Sequence, residues 1–335
     1  MNKVFIALGA MILTGIVIYS LNKPNNDSFG AKEFEEFLNK YEKSYGSENE
    51  HNYRFSIFQQ NLKKVNTHNT KSNKKYKLGI NKFSDLTFNE FKSKYLQTPR
   101  KANKNTDLRK IEVSLPTEVD WRSKQGAVNP VKDQGQCGSC WAFSTVASVE
   151  NLIWRTQNKS VSLSEQELVD CAGGKYENEG CNGGLMDKAM DYVVDNKIGT
   201  ETAYPYKAVD HRCNKKNKQK KGRVSVAGYN YIEPSNVDGL QKAVVEGVVS
   251  VSIEVQEDFQ MYDSGVYESE DEDCGEYLNH GVAAVGYKSD GDSPYFIVRN
   301  SWGEDWGEEG YIRVAWGSGS GTCGLADVDD LVPTA

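Results

Sequence analysis

QGQCGSCWAFS, residues 134–144, is the stretch around which the chain is organised. Gly138 and Ser139 make a tight turn, Cys140 follows it, and an apolar run begins at Trp141. Ala142, Phe143, Val146, Ala147, Val149, Leu152 and Ile153 continue that run at helical spacing. Cys140 therefore stands at the start of a helix. Unpaired N–H groups and the positive end of the helix dipole favour the thiolate there, and the thiolate is the nucleophilic form. A cysteine nucleophile also needs a base, a group that orients the base, and donors for an oxyanion.

Composition bounds the search. The chain has 335 residues and 38% hydrophobic content, enough for a sizeable core and more than one average domain. Its net charge of −7 is unevenly spread. Residues 1–114 carry 20 Lys and Arg against 11 Asp and Glu, whereas residues 115–335 carry 20 against 36. A basic front and an acidic back attract each other, and acid weakens the attraction by protonating carboxylates. All seven Cys lie in the acidic part, at 137, 140, 171, 181, 213, 274 and 323. Behind a secretory-type N-terminus, an odd count implies three disulfides and one thiol. Irregular spacing and only two His in that part argue against zinc, so no metal and no cofactor is expected. The Lys cluster at 215–221, KKNKQKK, reads as a solvated loop, and no nucleic-acid partner is expected.

Lys3 precedes an apolar run from Val4 to Leu21. It reads as a signal peptide over residues 1–20, cut after Ser20; an uncleaved anchor is the alternative and the one route to a membrane. Residues 31–70 are helical in pattern, with Phe34, Phe37, Leu38 and Tyr41, then Phe55, Phe58, Leu62 and Val65, on apolar faces. Gly79–Asp85 reads as a short extended segment, and residues 97–114 as an exposed basic linker suited to cleavage. The acidic part begins near Leu115. Helices are expected from Cys140, from Ser164 and over Met186–Asn196; Ser164 and Glu167 fit a capping box, with Leu163 and Leu168 as its staple. After residue 225 the chain turns β-rich, with Val248–Val255, Gly281–Tyr287, Tyr295–Val298 and Tyr311–Ala315 as strands. A helical half and a β half in one catalytic unit meet at a cleft.

Of the two histidines in the acidic part, His211 sits in the Lys-rich stretch, while His280 lies at a strand mouth between Asn279 and Gly281. A lone His there is as readily structural; beside Cys140 it becomes the candidate base. Asn300, after the strand ending at Val298, can accept the imidazole N–H, although Asn-Ser also suits a turn. Trp302 and Trp306 stand ready to shield that bond. Gln134 and the Cys140 backbone N–H are two candidate oxyanion donors.

These residues resemble the papain/cathepsin family of cysteine peptidases. CGSCW at 137–141 matches its C-G-[SA]-C-[WY] signature; His280 and Asn300 lie 140 and 160 residues beyond Cys140, the second slightly outside the usual spacing of about 130–150. Glu50, Arg54, Phe58, Asn61, Val65 and Asn69 match the interrupted E-R-F-N-I-N pattern of the cathepsin L-like propeptide, with Val for Ile. Gly79, Asn81, Phe83 and Asp85 match G-x-N-x-F-x-D, LPTEVDW (115–121) resembles a mature N-terminus, and CNGGLMD (181–187) a substrate-cleft segment.

The resemblance implies an α+β, papain-like two-domain fold, with a helical domain, a β-barrel-like domain and a helical N-terminal propeptide. It implies a signal segment at 1–20, a propeptide at 21–114 and a mature peptidase at 115–335. Cys140 would be the nucleophile, His280 the base and acid, Asn300 the orienter and Gln134 an oxyanion donor. The disulfides would pair Cys137 with Cys181, Cys171 with Cys213, and Cys274 with Cys323; counting alone leaves fifteen pairings of six cysteines. Gly183, Gly184, Leu185, Met186, Ser252, Leu278, Gly281, Trp302 and Val328 would contact substrate, their apolar lining favouring Leu, Phe or Val two residues before the cut. No insertion of the cathepsin B kind is seen, which favours an endopeptidase. Expected partners are peptide substrates, the chain's own propeptide as inhibitor, and cystatin-type inhibitors, for a monomer in the secretory route, lysosomal, vacuolar or extracellular. Acid would start processing near residues 108–116. An acyl transferase or amidase, and an inactive binding homologue, are the alternatives. Asn26 and Asn158 head glycosylation triplets.

Overall fold

The computed structural model describes residues 28–97, 111–214, 216, 222–271, 273–327 and 330–335. The expected signal segment, Asn26, most of the 97–114 linker, most of the Lys cluster and Val328 lie outside the described residues. Among the described residues, no helix is long and apolar enough to cross a membrane.

The front of the chain forms helices α1 (Ala31–Lys40), α2 (Glu48–Asn69) and α3 (Phe88–Tyr95), with strand β1 (Tyr76–Leu78) between the last two. The aromatic positions legible in the sequence make one small core, Phe34, Phe37, Phe58 and Leu62. The polar positions of α2 anchor residues 78–90 to the helix. The Asn61 amide donates to the carbonyls of Ser84 and Leu86, both at 3.0 Å. Asn69 pairs with both backbone groups of Leu78, and Arg54 donates to Glu90 at 2.9 Å. Gly79–Asp85 is not extended as expected. The strand lies just before it, and residues 82–85 form a turn. Asn81 makes that turn, because its side chain accepts from the Phe83 N–H and its own N–H donates to Ser84 Oγ.

The helical half contains α4 (Cys140–Gln157), α5 (Glu165–Cys171) and α6 (Met186–Asn196). Helix α4 is buried from Cys140 to Ile153 on every side. One face is apolar: Trp141, Val146, Val149, Leu152 and Ile153 pack with Leu168, Met190 and Val193. The other face carries small and hydroxyl side chains, which let it lie close to a sheet and satisfy polar groups there. Helix α5 starts at its Ser164 cap, which accepts from the Glu167 N–H at 3.0 Å. The reciprocal half of the expected capping box is absent. Glu167 turns away to the Tyr192 hydroxyl, the Gly199 N–H and the Arg223 guanidinium, a stronger set for a buried carboxylate.

The β half adds β2 (Glu118–Asp120), β3 (Gly228–Tyr231), α7 (Val237–Glu246), β4 (Val249–Ile253), α8 (Glu257–Gln260), β5 (Tyr262–Tyr267), β6 (His280–Lys288), β7 (Tyr295–Arg299), β8 (Tyr311–Ala315) and β9 (Leu331–Thr334). Its sheet runs β1-β5-β8-β7-β6-β4-β9-β3, with β2 also on β6, and does not close into a ring. The front segment thus enters the sheet as its edge strand.

The two halves meet where α4 lies on β6 and β4. Ser144 Oγ donates to the Val282 carbonyl at 2.7 Å, Ser250 Oγ donates to the Ser144 carbonyl at 3.0 Å, and Asn151 Oδ1 accepts from the Val248 N–H at 3.1 Å. These bonds fix the register of helix on sheet, and hence of Cys140 against His280.

Candidate active site

Cys140 is the first residue of α4, buried, and the one cysteine outside the disulfides. The disulfides are Cys137–Cys181, Cys171–Cys213 and Cys274–Cys323. The first ties the turn before α4 to the segment that continues into Gly183 and Gly184. The Gly138 N–H donates to the Cys181 carbonyl at 2.8 Å, and a Cβ on Gly138 would stand 2.6 Å from that oxygen. Only glycine lets the two segments approach so closely.

His280 opens β6 and is fully buried. The next residue, Gly281, is packed on the backbone of Cys140 and Trp141, where an added Cβ would lie 3.2 Å from the Trp141 N. His280 Nε2 is 2.8 Å from Asn300 Oδ1. That oxygen also accepts from the Ser301 N–H at 2.8 Å, which identifies it as the amide oxygen. Nε2 must therefore carry the proton, and Nδ1, which has no hydrogen-bond partner among the described residues, is the unprotonated nitrogen. Burial pulls the imidazole pKa down to about 4, against the opposing effect of the Asn300 bond. The ring stacks on Trp302 at 4.7 Å, and Trp302 meets Trp306 edge-on at 5.0 Å.

Gln134 is fixed at both ends of its amide. Its Oε1 accepts from Ser301 Oγ at 2.7 Å, and its Nε2 donates to the Cys137 carbonyl at 2.8 Å. Its backbone N–H donates to the Ser301 carbonyl at 2.8 Å. Ser301 thus couples Gln134 from the helical half to Asn300 from the β half. Sequence reasoning missed Ser301, and its position beside Asn300 was the available signal. It also missed Tyr206, whose hydroxyl bridges the Gln134 carbonyl at 2.8 Å and Ser139 Oγ at 2.6 Å; nothing local in the sequence marks it.

The front segment covers this arrangement. Gln134 Nε2 also donates to the Tyr95 carbonyl at 2.9 Å, so a backbone oxygen of the front segment occupies the amide donor. Two residues on, the Gln97 N–H donates to the Asn279 carbonyl at 3.1 Å, and Gln97 Oε1 accepts from the Gly184 N–H at 3.2 Å. Gln97 therefore bridges the two walls of the cleft, against Gly183, whose φ of 126° only glycine adopts readily. Phe83 and Phe91 lie edge-on to Trp302, at 5.6 and 5.1 Å.

The other expected substrate contacts are spread along the same walls. Leu185 is half-buried and Met186 buried at the start of α6. Ser252 faces Gly281 across β4 and β6, and its hydroxyl is buried without a partner among the described residues. Leu278 is buried against Gly324, and Trp302 is fully buried between Phe83 and Phe91 of the front segment and His280, Phe259 and Trp306 of the β half. His211 is exposed, and its backbone N–H donates to Asp170.

Two family models match the chain. Papain family cysteine protease covers residues 115–331, and cathepsin propeptide inhibitor domain (I29) covers residues 34–91. The chain belongs to the papain family of cysteine proteases. This papain-family chain is 47% identical over 294 residues to KDEL-tailed cysteine endopeptidase CEP2 of Arabidopsis thaliana, covering 83% of this chain and 79% of that relative. It is 46% identical over 282 residues to Cysteine proteinase RD21A of the same plant, covering 82% of this chain but 59% of the relative, so the match spans less than two thirds of that longer protein. Among solved structures, digestive procathepsin L 3 of Tenebrio molitor larval midgut superposes with a TM-score of 0.81 at 36% identity, over 92% of this chain and all of that one. A recombinant stem bromelain precursor gives 0.82 at 36% identity, over 90% and 98%. The papain-like fold with a helical propeptide, expected from the sequence, is therefore that of proenzymes, and the unclosed sheet fits the barrel-like description.

Proposed function

We propose that the chain is a cysteine endopeptidase made as a zymogen, with residues 21–114 as inhibitory propeptide and 115–335 as the mature enzyme. One observation carries the reading: Gln134, beside the buried Cys140 and the Asn300-oriented His280, has its amide donor taken by the Tyr95 carbonyl. A carbonyl oxygen held there stands in for the oxygen of a scissile peptide.

In the uncovered enzyme, His280 Nδ1 takes the Cys140 proton. The thiolate attacks the substrate carbonyl carbon, and the carbonyl π pair moves to oxygen, where Gln134 and the Cys140 N–H donate. Collapse of the tetrahedral species breaks the C–N bond, and the imidazolium protonates the leaving amine. Water, deprotonated by Nδ1, then attacks the thioester. The acid product leaves and the thiol is restored. Asn300 keeps the proton on Nε2 throughout and holds the ring toward Cys140.

Leu185, Met186, Ser252, Leu278, Gly281 and Val328 form the apolar site for the side chain two residues before the cut, favouring Leu, Phe or Val, while Gly183 and Gly184 bind the substrate backbone and Trp302 borders the cleft. The enzyme works as a monomer, reaches a lysosomal, vacuolar or extracellular compartment by the secretory route, and is open to cystatin-type inhibitors. Processing falls near residues 108–116.

Acid incubation of the zymogen tests this. Loss of the front segment, hydrolysis of a Leu-containing peptide amide and new labelling of Cys140 by a thiol-directed epoxide are expected together, all absent in Cys140→Ala. A processed protein that is labelled but cuts no peptide amide would sink the endopeptidase reading, and one that is not labelled would be an inactive homologue.

A further inference from the structure

The edge strand β1 is held by more than a cover over the cleft requires. It pairs antiparallel with β5, Tyr76 opposite Gly265 and Lys77 opposite Ser264, and β8 and β7 separate β5 from β6, the strand that His280 opens. The Val266 N–H donates to the Lys75 carbonyl at 3.0 Å, and the Gly79 N–H donates to the Met261 carbonyl at 2.8 Å. Gly265, at φ +98°, permits the approach, since a Cβ there would stand 2.4 Å from the Lys75 oxygen.

Two side-chain features read the strand. Tyr76 is buried on Tyr267 at 5.1 Å, and both hydroxyls donate to the Asp258 carboxylate, at 2.5 and 2.8 Å. Leu78 is buried two residues on. N-terminal to Tyr76, Lys71 and Lys74 pair with Glu270, and Lys75 pairs with Glu268 at 3.3 Å. The occupant is thus recognised as basic residues followed by an aromatic and an aliphatic residue at alternate positions in an extended chain.

When the front segment leaves, β5 keeps its unpaired backbone groups, the Asp258–Tyr267 slot and the two glutamates. Resting on the zymogen reading, we infer that this edge of the mature enzyme is an exosite that captures protein substrates through an extended Lys-Lys-aromatic-x-aliphatic segment added to β5 as a strand. Backbone pairing supplies affinity, and the slot and glutamates supply selection. Such capture raises the local concentration of the substrate at the cleft without touching the chemistry.

The probe is a fluorescein-labelled peptide of residues 71–79, KSNKKYKLG. Enzyme is activated, shown to cut a short Leu-containing amide, blocked at Cys140 by an epoxide, and titrated by anisotropy. Saturable binding is expected, weakened about fivefold in Glu268→Gln/Glu270→Gln, a modest loss because the two glutamates are largely exposed. A probe with Ala in place of its Tyr should bind about tenfold more weakly, as for a buried aromatic anchor. In unblocked enzyme the probe leaves hydrolysis of the short amide unchanged, and a protein carrying the segment is cut with a lower KM by the wild type than by the double variant. A second arm needs no activity: the zymogen variant Tyr76→Ala/Leu78→Ala, its own strand weakened, also binds the probe. Absence of binding in both arms, indifference to the glutamates and the Tyr, or competition with the short amide would each overturn the exosite. Failure to cut the short amide would count against the peptidase reading, leaving the zymogen arm to decide the exosite.

Discussion

Under the proposed mechanism, Gln134 serves both the resting and the working protein. Its Oε1 is held by Ser301 and its Nε2 faces a carbonyl of the cover, so the donor is aimed before any substrate arrives. An oxyanion donor of this kind contributes about a hundredfold or more to kcat. Gln134→Ala should therefore lower kcat of the activated enzyme by about 10²-fold with little change in KM, read by steady-state kinetics on a peptide amide. Gly281 has a steric role instead. In Gly281→Ala the new methyl group meets the backbone of Cys140 and Trp141, which cannot swing aside as a side chain can. The expected cost is about 1–3 kcal/mol, seen as a lower melting midpoint, together with reduced kcat from separation of Cys140 and His280.

At the scale of elements, α3 and the turn before it seal the site. Phe91 is fully buried against Phe83, Tyr95 and Trp302, which joins the front segment to the wall beside His280. Phe91→Ala should destabilise the zymogen by about 3–5 kcal/mol and move the onset of activation to higher pH. The mature enzyme made from it lacks this residue, so its kcat and KM should match the wild type. Assay after full processing, beside thermal unfolding of both zymogens, checks the pair of outcomes. The extended reading of Gly79–Asp85 failed at this scale: the G-x-N-x-F-x-D residues were visible, but their hydrogen bonds close a turn that the bare pattern does not specify.

For the whole molecule, the basic front does meet the acidic back, through Lys64–Glu257, Lys75–Glu268 and Lys82–Asp133 among others. These pairs are mostly solvent-exposed, and each is worth at most about 1 kcal/mol. Burial of histidines in the covered state, His280 beneath the cover and His68 within it, has the larger leverage. His280 is pulled from the ordinary 6.5 to about 4 by burial, and His68, against Tyr76, is also lowered by burial. A depressed histidine pKa means that the uncovered or unfolded state takes up the proton first. The covered state is thus at its most stable above pH 6.5 and loses stability as pH falls toward 4, by roughly 3 kcal/mol for His280 if uncovering restores its ordinary pKa. In a Cys140→Ser zymogen, which cannot cut itself, exposure of tryptophan fluorescence to quencher should rise over that interval. A flat profile from pH 7 to 4 would contradict this account.

Local pattern in the sequence marked the candidates for the chemistry and the elements that carry them. Cys140 at a helix start, His280 at a strand mouth, the helices at Ser164 and Met186, and the strand runs after residue 225 all follow from local pattern, because helix caps, apolar period and β-branched runs act over a few residues. How distant groups answer one another depends on the packed chain. Which His280 nitrogen is bare depends on Asn300 twenty residues away and on the Ser301 N–H beside it. The Gln134 amide is oriented by Ser301 across the interface, and its donor is taken by Tyr95, 39 residues earlier. Glu167 leaves its capping box for Tyr192 and Arg223. Hydrogen-bond partners in a buried interface are chosen by three-dimensional proximity, and a linear pattern carries no record of that choice.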